Sequence, residues 1–171
     1  EAITEIGAVV LKNGQVTDRF QTFVNPGRRL TPEIIGLTGI TDAMLSDAPS
    51  PKEALTAFLS FVNGRPLAAH NAEFDISFIR AGCRREGIPF DPTYVDSLIL
   101  AQNLLPELHK FKLDIVAEYL DLPAFNHHRA SDDAAMVGYM LVPFIQMLRD
   151  RGVNTLQQVN PCLLYTSPSP R

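Results

Sequence analysis

The chain has 171 residues, 46% of them hydrophobic, and a formal net charge of −4. That size and apolar content suit one globular domain with a real core, and no run approaches the roughly 18 apolar residues needed to span a bilayer. The negative charge excludes a protein that holds nucleic acid by overall positive potential. It leaves room for nucleic acid reached through bound cations, where crowded carboxylates gather them.

The stretch from Glu5 to Val24 reads as two strands joined at Asn13-Gly14, the dipeptide of a two-residue type I′ turn. Ile6, Ala8, Val9, Val10 and Leu11 make the first strand nearly all apolar, which predicts burial on both faces. Asn25-Pro26-Gly27 ends the second strand, and Thr31-Pro32-Glu33 starts a short helix with threonine as cap. "LTGITDAML" is a loop that runs into another helical turn. Ser50-Pro51-Lys52-Glu53 is a capping box, and the helix behind it carries Leu55, Phe58, Leu59 and Val62 on one stripe. "RPLAAH" predicts a short buried strand, followed by a helix capped by Asn71 and stopped by Gly87. "TYVDSLILAQNLL" gives a brief strand and a helix ending at Pro106, and Leu113, Val116, Ala117 and Leu120 face inward from the next helix. A last helix runs from about Ala130 to Arg149 and ends by Gly152. Hairpin strands, then alternating helices and strands, predict an α/β domain with a mixed sheet and helices on its faces.

Both ends carry expectations. The opening "EAITEIGAVVL" is strand-like almost at once, as in a chain truncated at its N-terminus. Residues 161–171 have no period of either kind and read as a non-native or disordered tail. The domain is therefore taken as residues 1–160. Cys83 and Cys162 form neither a metal spacing nor a disulfide framework, which fits a cytoplasmic protein.

Two aspartates stand out. On the last helix, Met136, Val137, Met140, Leu141, Phe144, Ile145 and Leu148 form an apolar stripe, and Asp133 heads it. Asp132 instead shares a side with Ala135 and Tyr139. Asp75 heads the stripe of Phe78, Ile79 and Gly82 in the same way. Either acid alone reads as a favourable partner of the helix dipole. Two inward carboxylates are harder to satisfy, because even a neutral polar group costs roughly 2–7 kcal/mol to bury unpaired. A shared divalent ion answers this, and hard oxygen ligands suit magnesium or manganese.

His127 and His128 are adjacent, diverge in direction, and lack a third ligand at zinc spacing. His128 lies five residues before Asp133, in the loop that feeds the helix. It reads either as a base that takes a proton from a water on an ion held by that aspartate, which its ordinary pKa of about 6.5 suits, or as a solvent-exposed loop histidine. His127 and His109 read as surface histidines.

"HNAEFD" (70–75) and "HRASDDA" (128–134) resemble the second and third motifs of the DEDDh 3′–5′ exonucleases, N-x-x-F-D and H-x-A-x-x-D. "LTGITDAML" resembles the loop these enzymes place near the terminal nucleotide. "LTGITDAMLSDAP", the doubled histidine and "MLRDRGVNTLQQVN" resemble the proofreading members found with Gram-positive-type replicative DNA polymerases.

The resemblance implies an RNase H-like mixed sheet and two divalent ions, Mg²⁺ or Mn²⁺, held by four carboxylates. Asp75 and Asp133 would be two of these, and His128 the general base. Leu37, Thr38 and Phe74 would contact the terminal nucleotide, and Asn71 would order the motif loop. Partners would be the frayed 3′ end of DNA and polymerase domains of the same or an associated chain, and the product a nucleoside 5′-monophosphate. The family's first motif, D-x-E, is missing, and neither Glu1 nor Glu5 fits it. The expectation is that the motif and the strand carrying it lie upstream, and that this chain alone has little activity. An RNA-trimming or repair exonuclease, and a non-catalytic docking module, are the competing readings.

Overall fold

The computed structural model describes residues 2–123 and 129–159. Strands β1 (Glu5–Lys12) and β2 (Gln15–Phe23) form an antiparallel hairpin, with Glu5 opposite Phe23 and Lys12 opposite Gln15. Asn13 and Gly14 both take positive φ, 52° and 78°, as a type I′ turn requires. Thr31 caps the short helix α1 (Pro32–Thr38), and α2 (Asp42–Leu45) is a single turn. The capping box at Ser50 forms fully, and α3 (Pro51–Val62) buries Ala54, Leu55 and Phe58. Phe20 of β2 packs on the rings of Phe58 and Phe61, with centroids 6.0 and 5.4 Å away.

The second half is built on a crossover. Strand β3 (Leu67–Ala69), helix α4 (Ala72–Glu86) and strand β4 (Tyr94–Asp96) follow one another, and the two strands pair in parallel. Helices α5 (Ser97–Leu104), α6 (Leu113–Tyr119) and α7 (Ala130–Asp150) complete the order. Apolar side chains collect in two clusters. One joins α5, α6 and α7 through Leu100, Val116, Met140 and Phe144; the other joins the hairpin to α3 and α4 through Ile6, Val24, Leu55 and Cys83.

Three expectations need correction. The sheet is not one continuous mixed sheet among the described residues: it is an antiparallel pair and a separate parallel pair. For that reason β1 is half-buried along most of its length, with only Ile6 buried, and β3 is no more enclosed. Helix α7 packs on the hairpin and α3 and α4 reach it through Ile6 and Phe20, but two strands without further neighbours leave much of the ribbon open. On α7, Met136, Val137, Met140, Phe144 and Leu148 are buried, but Ile145 is exposed, because the buried stripe is narrower than the apolar pattern.

Candidate active site

Asp75 and Asp133 each stand in the first turn of a helix, α4 and α7. The two helices are held by different anchors, and each anchor contains one of the two buried polar residues among those described, Ser97 and Ser131.

The α4 anchor lies where β3 turns into the helix. Asn71 precedes the helix in the left-handed region, at φ 65° and ψ 52°, and its side chain makes no capping bond. The predicted asparagine cap is therefore corrected: Asp96 replaces it. Asn71 N–H donates to Asp96 Oδ1 at 3.0 Å and Ala72 N–H to Oδ2 at 2.9 Å. The His70 ring contacts the Phe111 carbonyl through Nε2 at 2.6 Å. A carbonyl only accepts, so Nε2 carries the proton there. Nδ1 meets the Ser97 hydroxyl at 2.9 Å.

The α7 anchor ties the helix to the hairpin. Arg129, just before the helix, reaches Glu5 Oε1 at 3.1 Å and lies over the Phe23 ring, 4.9 Å from its centroid. The Glu5 side chain is only 7% exposed. Gln21 completes the set: its amide N–H donates to Glu5 at 2.7 Å and its carbonyl oxygen accepts from the Ser131 hydroxyl at 2.6 Å. Backbone meets backbone beside it. A β-carbon on Gly7 would stand 2.2 Å from Ser131 N and 2.3 Å from the Ala130 carbonyl carbon. Sequence reasoning left Glu5 without a role, and pairing it with a residue over a hundred positions away needed the fold.

Asp75 sits where negative charge gathers. Removal of water from around its carboxyl is the largest cause raising its pKa, to about 6, and the charges of Asp96 and Asp133 push the same way. A hydrogen bond from the backbone opposes them. The residue as a whole is nevertheless exposed, which corrects the expectation of an inward carboxylate at the head of its stripe. Asp133 is half-buried, while Asp132 turns to Arg19 of β2 at 3.6 Å, on the flank.

A raised carboxyl pKa lowers the stability of the metal-free protein from its ordinary pKa upwards, and fully so above the raised one. Well below pH 3.8 Asp75 is protonated in both folded and unfolded chains and makes no difference; as pH rises from there to about 6 the unfolded chain ionises more readily, and folding is increasingly penalised. Asp75→Asn should therefore raise Tm by about 1–2 °C at pH 7.5 in EDTA, a gain kept small by solvent screening. The gain should shrink as pH falls from 6 and vanish well below pH 3.8. Thermal melts of both proteins across this range measure it, and a lower Tm for the variant at pH 7.5 refutes it.

The other expected site residues are spread more widely. Phe74 lies one residue before Asp75, 58% exposed, with its ring 4.9 Å from that of Phe78. Leu37 is 77% exposed on α1, a helix that buries no residue. The Thr38 hydroxyl is engaged within α1, donating to the Ile34 carbonyl at 2.7 Å. His109 is exposed. His127 and His128 lie outside the described residues, as does the expected tail. Among the described residues, no three acidic, histidine or cysteine side chains converge as metal ligands. Asp96 is near enough for its charge to act on Asp75, but its carboxylate is engaged with backbone N–H groups. Asp75 and Asp133 offer hard oxygens of the kind that suit magnesium, and they fit as part of such a site.

Residues 1–141 match the family model described as exonuclease, of the RNase T type. The chain belongs to this exonuclease family. Its fold agrees with that of known members. Exonuclease X in complex with 5′ overhanging duplex DNA is 25% identical, with a TM-score of 0.69 over 91% of this chain and 87% of that one. The nuclease domain of 3′hExo, a DEDDh family member bound to rAMP, is 19% identical with a TM-score of 0.69 over 90% of this chain and 83% of that one. This exonuclease fold is the expected RNase H-like α/β class. In sequence, the chain is 38% identical over 164 residues to the PolC-type DNA polymerase III of Caldanaerobacter subterraneus subsp. tengcongensis, covering 96% of this chain and 12% of that protein. It is 37% identical over 161 residues to the PolC-type DNA polymerase III of Bacillus cereus, covering 94% of this chain and 11% of that protein. The chain thus spans about an eighth of the length of these curated relatives. Among the described residues, no helix is long and apolar enough to cross a membrane.

Proposed function

We propose that this exonuclease-family chain is the 3′–5′ proofreading domain of a replicative DNA polymerase, removing 3′-terminal nucleotides as 5′-monophosphates. The observation that carries the reading is that Asp75 and Asp133, from separate helices, stand close enough for their charges to act on one another. The identity to PolC-type polymerases supports DNA over RNA and a polymerase as partner.

Asp75 and Asp133 would hold divalent magnesium or manganese. Such ions, when bound, lower the pKa of water and neutralise charge on the scissile phosphate. His128 acts as base, taking a proton from the attacking water as the water oxygen bonds to phosphorus; the bond from phosphorus to the 3′ oxygen breaks, and that oxygen takes a proton from solvent to leave as the 3′ hydroxyl. Phe74 and Leu37, large apolar side chains left exposed, pack on the terminal base, since a stacked base tolerates any sequence. Thr38 sits beside Leu37 to contact the sugar, and Asn71 shapes the turn into α4.

Two carboxylates are too few to hold two ions, and the sequence contains no D-x-E. We therefore expect the 171-residue chain alone to be nearly inactive. The deciding assay uses the native protein that carries this sequence, with Mg²⁺ and single-stranded DNA labelled at either end. Release of nucleoside 5′-monophosphates from the 3′ end supports the reading; faster trimming of RNA moves it to an RNA-processing enzyme. A non-catalytic docking module draws on the lack of a third converging ligand among the described residues, and predicts no digestion at all. Degradation by the 171-residue chain at the rate of the native protein contradicts the inactivity expected of it.

In the same assay, Asp132→Ala and His127→Ala should stay within a few-fold of wild type. Asp132 makes a surface ion pair, worth about 0–1 kcal/mol. A loss from either variant as large as that from Asp133→Ala shifts the site assignment.

A further inference from the structure

Asp96 ends β4 and begins α5, and its carboxylate accepts from three backbone donors. Leu98 N–H, in the first turn of its own helix, donates to Oδ1 at 2.8 Å. Asn71 N–H donates to the same oxygen at 3.0 Å, and Ala72 N–H to Oδ2 at 2.9 Å. One side chain thereby caps two helices, and the positive ends of both dipoles meet its charge. Bonds from backbone N–H to a carboxylate are the stronger, charge-assisted kind.

The helix that borrows this cap needs it. Asn71 holds a left-handed backbone without a capping bond from its own side chain, a conformation that persists in a non-glycine residue only when the surroundings impose it. Ser97 grips the same turn from the other side, through the His70 ring at 2.9 Å and the Ala69 carbonyl at 3.3 Å. The Asp96–Ser97 corner therefore clasps residues 69–72, three positions ahead of Asp75.

We infer that Asp96 is a positioning residue for the exonuclease reaction: by holding the N–H groups of Asn71 and Ala72 it sets where the first turn of α4, and Asp75 with it, stands. The inference rests on the function proposed above. Asp96 sets the turn through the backbone, since its oxygens accept from the three donors. Its charge, which also reaches Asp75, is a separate effect that the exchange measurement at Asn71 and Ala72 does not read. Asparagine cannot replace it. Its carbonyl can keep the two bonds at Oδ1, but its amide NH₂ then faces the Ala72 N–H, donor against donor.

The test compares Asp96→Asn with Ser50→Ala in the native protein that carries this sequence. Ser50→Ala removes the cap of α3, a helix that carries no proposed site residue. Three measurements are made: amide exchange at Asn71 and Ala72, Mn²⁺ affinity by titration, and steady-state kinetics (kcat and KM) on 3′-ended single-stranded DNA. Asp96→Asn should speed exchange at both amides and weaken Mn²⁺ binding about 10- to 100-fold, the usual range for residues that orient metal ligands. It should lower kcat by a similar factor, with KM for DNA changed less than about threefold. Asp96→Glu, which keeps the charge, should recover part of the kcat. Ser50→Ala, at a comparable loss of Tm, should leave all three readings near wild type. An active wild type whose Asp96→Asn variant keeps wild-type kcat and Mn²⁺ affinity overturns the role of Asp96 alone. Equal losses from Ser50→Ala overturn it too, by showing a general stability effect. A wild type without 3′-exonuclease activity overturns the functional reading itself.

Discussion

Asp75→Asn and Asp133→Asn are each expected to lower the rate of 3′ digestion by about 10³-fold or more in the native protein, with the fold intact. Asparagine keeps the shape of aspartate and removes only the charge. A ligand charge at a metal-assisted phosphoryl site supports several kcal/mol of transition-state stabilisation, and each 1.36 kcal/mol is about a factor of ten in rate. Both side chains are partly open to solvent, so neither change leaves a hole in the core. Mg²⁺-dependent release of nucleotides, measured beside circular dichroism of the same samples, separates lost chemistry from lost structure. Because the two acids serve one site, the double variant should be hardly slower than either single one. Additive losses, or a variant that keeps a tenth of the rate, contradict a shared site. The pairing with stability sharpens the expectation, since the substitution that disables Asp75 should also raise Tm slightly.

Gly7→Ala should be the most damaging single methyl group in the hairpin. The added carbon would lie 2.2 Å from Ser131 N and 2.3 Å from the Ala130 carbonyl carbon. These are backbone atoms at the start of α7 and cannot swing aside as a flexible side chain would. Helix and hairpin must separate, which strains the Arg129–Glu5 pair and the Ser131–Gln21 bond beside it. A loss of about 3 kcal/mol, at the top of the usual range for overpacking, corresponds to a Tm lower by about 6–12 °C. Activity should fall further than the loss of folded protein explains, because Asp133 rides on the displaced turn. Gly36→Ala is the natural comparison, lying within helix α1 with nothing within 4 Å of its added carbon. It should be neutral or gain about 0.4–1 kcal/mol. If Gly7→Ala melts like Gly36→Ala, the close docking of α7 on β1 is wrong.

The sequence by itself determined the order of the elements and most of their ends, because those are set by neighbours in the chain. The Asn13-Gly14 turn, the capping box at Ser50 and the stop at Gly87 are short-range devices, and each forms where its residues stand. Helical spacing likewise marked Asp75 and Asp133 as the acids heading inward stripes, and the two motifs that contain them identified the family. What the tertiary structure decided involves partners distant in the chain. Asn71 looked like the cap of α4, but the cap is Asp96, twenty-five residues on. Its local signal, an acid between a strand and a helix, marks only the start of its own α5. Glu5 carried no periodic signal for its bond to Arg129, and only the docking of α7 on the hairpin brings them together. Burial of β1 depends on distant partners in the same way: an apolar run states that a strand can be covered on both faces, whereas the number of neighbouring strands and helices decides whether it is. Local pattern thus marked the two carboxylates, and long-range hydrogen bonds accepted by Asp96 and Glu5 or made by Ser97 and Ser131 hold the helices that carry them.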